Sequence, residues 1–281
     1  MPSANPKNHQ HTSDGAFRIY DTDELFLFPP PSWLIDGVLP NAGVAGIYGP
    51  PKSGKTFVAL DMALSVASGH DWQDIAVEHS EVLYVSAEGT AGLSKRVRAW
   101  LWMNGLTSHD LSIGWITEPL PVYANSEGIK DVFARFEELD RHPALIVLDT
   151  LARCFEGDEN KTQDMSLFIN GVDQLRRESN ATILVVHHTN ADASRERGNT
   201  AFRGAVDTML CVTPGRPHEV ENQRALRQII KPTEGLFMLE CAAQKDAPTF
   251  FPGMGRLVVV PEVDSCGIDM VWKSSHDIDL P

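Results

Sequence analysis

From residue 43 onward, short unbroken apolar runs alternate with longer stretches in which apolar residues recur every third or fourth position. The runs Val44 to Tyr48, Val82 to Ser86, Leu145 to Asp149 and Thr182 to His187 are continuous rather than alternating, the pattern of parallel strands covered on both faces. Between them the spacing predicts helices over Lys55 to Ser68, Leu93 to Asn104, Ile129 to Leu139 and Met165 to Ser179; in the last, Phe168, Val172 and Leu175 share one face. After Ala205 the helical period stops. Thr208 to Val212, Arg224 to Ile230, Phe237 to Ala242 and Arg256 to Val260 read as strands joined by Gly- and Pro-rich loops, which suits antiparallel hairpins added to the same sheet. The fold class expected is α/β, a mostly parallel sheet flanked by helices with C-terminal antiparallel strands.

The two ends lack this pattern. Residues 1–16 are polar and aperiodic and are expected to form a disordered tail. Residues 17–42 carry Phe26, Phe28, a Pro29-Pro30-Pro31 run and Trp33-Leu34-Ile35, which reads as an extended arm pinned by aromatics, either over this domain's own core or on a neighbouring subunit. With no internal repeat or linker, one domain over 43–262 is expected, followed by a tail over 263–281.

Composition narrows the functional classes. No apolar run approaches the length of a membrane span and the first residues lack an apolar signal core, so a cytoplasmic protein with no membrane partner is expected. Cys154, Cys211, Cys241 and Cys266 are scattered without a C-x-x-C pair, which suits reduced thiols better than a zinc site. The 38 acidic residues against 24 basic ones set a net charge of −14, so the surface as a whole repels a nucleic-acid backbone and any DNA contact must be local.

The most specific motif is Gly49-Pro50-Pro51-Lys52-Ser53-Gly54-Lys55-Thr56, which fits G-x-x-x-x-G-K-[ST] between a predicted strand and a predicted helix. Glycines there permit backbone angles that turn successive N–H groups toward phosphates, and the helix adds its positive dipole end. Lys55 is expected to reach the β- and γ-phosphates of ATP, and the Thr56 hydroxyl to ligate Mg²⁺.

Two further strand ends carry acid groups. Asp149 closes an apolar strand in the manner of a Walker B carboxylate and is expected to hold the Mg²⁺ shell. Thr150, not a glutamate, follows it, so a base for the attacking water must come from elsewhere. Glu88, at the end of Val82 to Ser86, is the candidate, because ligands of open α/β sheets sit beyond the carboxyl ends of the strands. Its alternative is a helix-capping carboxylate before Gly89-Thr90.

His187 and His188 are neighbours on one strand and point to opposite faces, which makes them a poor joint metal site. His188, at the strand end, is either a sensor of the γ-phosphate or a hydrogen-bonded structural histidine. The polar stretch Thr189 to Thr200 follows, and its Arg195 and Arg197 either contact single-stranded DNA or balance Asp192 and Glu196 in a solvated loop.

In this order, over about residues 30 to 260, the motifs resemble RecA-like P-loop ATPases of the subgroup containing plasmid hexameric replicative helicases of the RepA type and related phage ATPases. The matching pieces are Trp33 to Pro40, Gly49 to Thr56, Tyr84 to Glu88, Leu148-Asp149-Thr150, His187-His188, Arg203-Gly204 and Gln244-Lys245-Asp246. The resemblance implies a homo-oligomeric ring, a hexamer, with ATP between subunits, Glu88 as catalytic base, and Arg203 and Lys245 as cations donated to the neighbouring site. Unwinding or translocation on DNA is the activity it implies. A recombination or strand-annealing ATPase, or a regulatory ATPase acting on protein partners, is the alternative, since the chain has no strongly basic stripe.

Overall fold

The computed structural model describes residues 19–188, 201–215, 235–250 and 252–272. The expected strand Arg224 to Ile230, the tail 1–16 and the loop carrying Arg195 and Arg197 lie outside the described residues. The chain forms two compact units, Met1–Pro31 and Ser32–Pro281.

In the first unit, helix α1 (Thr22–Phe26) is opened by a reciprocal cap: the Glu24 N–H donates to Asp21 and the Asp21 N–H to Glu24. Tyr20 meets Phe28 edge to face, while Leu25, Phe26 and Leu27 stay exposed. The stretch 17–42, expected as one extended arm, therefore divides at Pro31: local capping makes a short helix before it, and after it the chain joins the second unit.

There β1 (Trp33–Ile35) and β2 (Leu39–Pro40) make a small hairpin, and Leu34, Ile35, Val38 and Leu39 enter the core. Next come β3 (Val44–Gly49), α2 (Lys55–Ser68), β4 (Val82–Ser86), α3 (Leu93–Asn104), β5 (Ile113–Ile116), α4 (Glu127–Leu139), β6 (Leu145–Asp149), α5 (Leu151–Cys154), α6 (Thr162–Ser179), β7 (Thr182–His188) and α7 (Ala201–Ala205). Strands β8 (Thr208–Pro214), β9 (Leu236–Gln244), β10 (Gly253–Val260) and β11 (Ser265–Trp272) complete the sheet. Its order is β11-β10-β9-β8-β3-β7-β6-β4-β5. Pairing is parallel from β8 through β5 and antiparallel from β8 to β11.

The anticipated fold is the observed one, with three differences. Residues 265–272, expected within a tail, form β11, because Ile268 and Met270 bury against the core below α3. Strand β5, a half-buried edge strand only four residues long, has too short an apolar run to stand out. Helix α7 lies in a stretch read as loop; one turn anchored by buried Phe202 carries no period.

Two apolar layers sandwich the sheet. Helix α2 is mostly apolar and is buried on nearly every side, and it packs on the sheet with α3 and β11 against it. The other face holds α4, α5, α6 and α7. Within α2 the buried Asp61 accepts hydrogen bonds from Trp100 Nε1 at 2.7 Å and Gln73 Nε2 at 2.9 Å. Burial pushes its carboxyl up to about 6 from 3.8, against the pull of those bonds. Between these values the folded chain keeps a proton that the unfolded chain has released, so this residue lowers stability as pH rises from about 4 to 6. Asp61→Asn removes the exchange. Denaturation series from pH 4.5 to 7 should show the variant gaining on wild type by on the order of 2 kcal/mol over that window; a difference that does not change with pH would contradict the assignment.

Candidate active site

Register brings four strand ends to one edge of the sheet. Gly49 pairs with His188, Asp149 with Val186, and Ser86 with Asp149, so Glu88 emerges two residues beyond the level of Asp149. Side chains alternate along a strand. Tyr84, Val147, Leu184 and Val186 belong to the layer that holds α2, and Asp149 and His188, two residues on from Val147 and Val186, share their face. His187 has the opposite parity and is buried near the Phe202 ring in the other layer. Strand parity thus puts His188, and not His187, on the face that carries Asp149.

The loop from Gly49 to Thr56 turns at the end of β3. A Cβ on Gly49 would lie 2.0 Å from the Val212 carbonyl oxygen, so glycine is required by close approach rather than by its backbone angle. Gly54 does need the left-handed region, with φ +99°. It caps α2 without any side-chain acceptor, which leaves the first N–H groups of the helix facing the cleft. Lys55 is buried and its Nζ donates to the Pro50 carbonyl at 2.7 Å. Burial lowers its pKa to about 8 in spite of the charges of Asp149 and Glu88.

Thr56 Oγ1 donates to Asp149 Oδ1 at 3.3 Å, and Tyr84 Oη donates to Asp149 Oδ2 at 2.8 Å. Burial pushes Asp149 up to about 6, although both bonds and the Arg96 charge oppose it. Exposed Glu88 accepts from Thr150 Oγ1 at 3.2 Å. Burial, and then the Lys55 charge, lower the His188 pKa, and its Nδ1 has no hydrogen-bond partner. These groups surround a cleft of about 390 Å³ that Lys52, Gly54, Arg96 and Leu257 also line.

The site fits a magnesium nucleotide. An uncapped helix N-terminus, a buried lysine with a single carbonyl partner and a buried Ser53 hydroxyl without a partner form a cradle for anionic oxygens. Thr56 and Asp149 stand together where a hard cation bridging phosphates would need oxygen ligands.

Two predicted residues lie elsewhere. Lys245 Nζ is 3.1 Å from Asp207 Oδ1, and the Asp207 carboxylate also accepts from the Val44 N–H at the start of β3, about 16 Å along the strand from Gly49. Arg203 is exposed on α7 and its Nη2 donates to the Ala242 carbonyl on β9. Neither lines the cleft.

Sequence reasoning passed over Tyr84, Arg96 and Leu257. Tyr84 carries a legible signal, since it stands two residues before the end of the strand that leads to Glu88. Arg96 and Leu257 carry none, because they reach the cleft only through the packing of α3 and β10 around α2.

A family model described as an AAA domain matches residues 17–194. Among solved structures, the crystal structure of the RadB recombinase is similar with a TM-score of 0.53 at 16% identity, covering 82% of this chain and 91% of that one. That likeness identifies the fold as RecA-like. Among the described residues, no helix is long and apolar enough to cross a membrane.

Proposed function

The chain belongs to the AAA domain family, a RecA-like P-loop ATPase in family and fold, and from that premise we propose a ring-forming, ATP-hydrolysing motor that acts on DNA in phage or plasmid replication, as hexameric replicative helicases do. Support for a ring comes from one observation: Arg203 and Lys245 stand clear of their own cleft, Lys245 at the far end of β3, so a phosphate contact by either is one made with a neighbour.

In this reading the helix N-terminus and Lys55 bind the β- and γ-phosphates. Glu88 takes the proton of the attacking water, and the Thr150 hydroxyl orients its carboxylate. His188, opposite Gly49 in the sheet and lining the cleft, registers the γ-phosphate. Thr56 and Asp149 hold Mg²⁺, which when bound neutralises charge on the phosphates. Arg203 and Lys245 of one subunit stabilise charge developing in the next, which couples hydrolysis to subunit position. Arg195 and Arg197 are the proposed contacts to single-stranded DNA.

Mixing variants tests the shared site. Arg203→Ala and Lys55→Ala rings should each hydrolyse ATP poorly. An equimolar mixture should recover up to roughly a quarter of wild-type activity, the share of head-to-tail interfaces that join an intact Lys55 to an intact Arg203. No recovery on mixing would refute the trans role. Mass measurement with and without ATP and Mg²⁺ reports the subunit number.

The recombinase named in the similar structure motivates a second reading, a recombination or strand-annealing ATPase. Displacement of a strand from a tailed duplex separates the two, since only the motor unwinds.

A further inference from the structure

The Asp149 carboxylate is held at both oxygens, and only one of the two partners faces the cleft. Thr56, which donates to Oδ1, lines the cleft together with Asp149. Tyr84, which donates to Oδ2 at 2.8 Å, is fully buried and does not line it. Strand register builds this second contact. Tyr84 pairs with Val147 and Ser86 with Asp149, so Asp149 stands on the adjacent strand two residues, about 6.6 Å, nearer the carboxyl edge. A side chain as long as tyrosine's crosses that step by leaning along the strand. On the other side β5 sets Trp115 opposite Tyr84, with ring centres 5.5 Å apart, and this contact braces the ring.

Packing alone asks for less. A phenylalanine would fill the same apolar layer and would leave no hydroxyl to desolvate. What the hydroxyl acts on is the carboxylate, whose rotation about its Cβ–Cγ bond is soft. A hydrogen bond to Oδ2 from inside the sheet turns Oδ1 toward Thr56. Carboxylates that hold metals are themselves hydrogen-bonded, and those outer partners set their orientation.

We propose that Tyr84 is a positioning residue for the magnesium nucleotide: it holds Asp149 Oδ2 so that Oδ1 stands beside the Thr56 hydroxyl, where the cation would be held. The inference rests on the nucleotide-site reading and adds to it a residue outside the cleft. Since Tyr84 does not face the ligand, its hydroxyl bears only on the metal-dependent part of binding.

Equilibrium binding of ATP, in EDTA and across a Mg²⁺ titration, is compared for wild type, Tyr84→Phe, Asp149→Asn and the double variant. In EDTA, Tyr84→Phe should bind ATP within about two-fold of wild type, because no ligand contact is lost. The Mg²⁺ concentration at which the tightening of ATP binding is half complete should rise by roughly ten-fold, the size of losing an outer partner. Adding Tyr84→Phe to Asp149→Asn should change neither quantity by more than about two-fold, because the hydroxyl acts through the carboxylate. A tyrosine that serves stability alone would leave the Mg²⁺ midpoint unchanged, or weaken ATP equally with and without the metal. Either result overturns the proposal, as does a further loss in the double variant. Should Tyr84→Phe fail to fold, Trp115→Leu, which keeps the hydroxyl and removes its brace, is read in the same titration. A selective rise in its Mg²⁺ midpoint supports the positioning role, and an unchanged midpoint overturns it. Wild-type protein that binds ATP no more tightly with Mg²⁺ than without overturns the metal reading of Thr56 and Asp149, and the role of Tyr84 with it. Wild type that binds no ATP at all overturns the nucleotide site itself.

Discussion

Lys55→Ala is expected to abolish nucleotide binding while the chain still folds. The lysine is buried, its single hydrogen bond goes to the Pro50 carbonyl, and burial holds its pKa near 8, so the fold bears a cost for keeping it charged. Such a residue is retained for a ligand, and an anionic phosphate supplies the partner that the interior lacks. Truncating one member of a buried charge pair costs about 2 to 5 kcal/mol, so affinity for ATP should fall by at least about 30-fold and more in the upper range. Thermal unfolding gives a direct readout. At ATP near 100 times its Kd, wild type should gain about 2.7 kcal/mol, a rise of roughly 5 to 10 °C, and the variant about 0.9 kcal/mol or less. A variant stabilised by ATP as much as wild type would remove Lys55 from the site.

Glu88→Gln should separate binding from turnover. The side chain is exposed, so stability should stay within about 0.5 kcal/mol of wild type. Glutamine keeps an acceptor for the Thr150 hydroxyl, and it removes a negative charge from beside the phosphates, so ATP affinity should hold or rise. A general base contributes about 10² to 10⁴ in rate, and hydrolysis should drop by that factor in a single-turnover assay. Asp149 makes a poor substitute base, since both its oxygens are engaged by Thr56 and Tyr84. Ordinary turnover in the variant would send the search for a base to another residue.

The parallel strands were legible because each is a bounded apolar run, and α2 because it starts at the phosphate-loop motif and is mostly apolar over its fourteen residues. The pairing of Gly49 with His188 could be anticipated only in kind: strand ends of a parallel sheet meet at one edge, but register decides which residues face each other. What stayed hidden has one cause. Residues such as Arg96, Leu257 and the strand β11 take their roles from contacts between distant segments, and no local period or spacing encodes them. The arm shows the converse, where a local capping box at Asp21 and Glu24 made a helix in a stretch that proline and aromatics suggested was extended.

The amino-acid sequence alone determined the α/β class, the phosphate loop and the acidic strand ends at Glu88 and Asp149, because these depend on residue type at short spacing. Tertiary structure decided the rest. It set Tyr84 and Thr56 on the two oxygens of Asp149, laid Arg96 on Phe57 inside the cleft, and carried Lys245 to the opposite end of β3. Each of those depends on strand register and on how helices pack across the sheet, and both are settled by long-range burial of apolar surface.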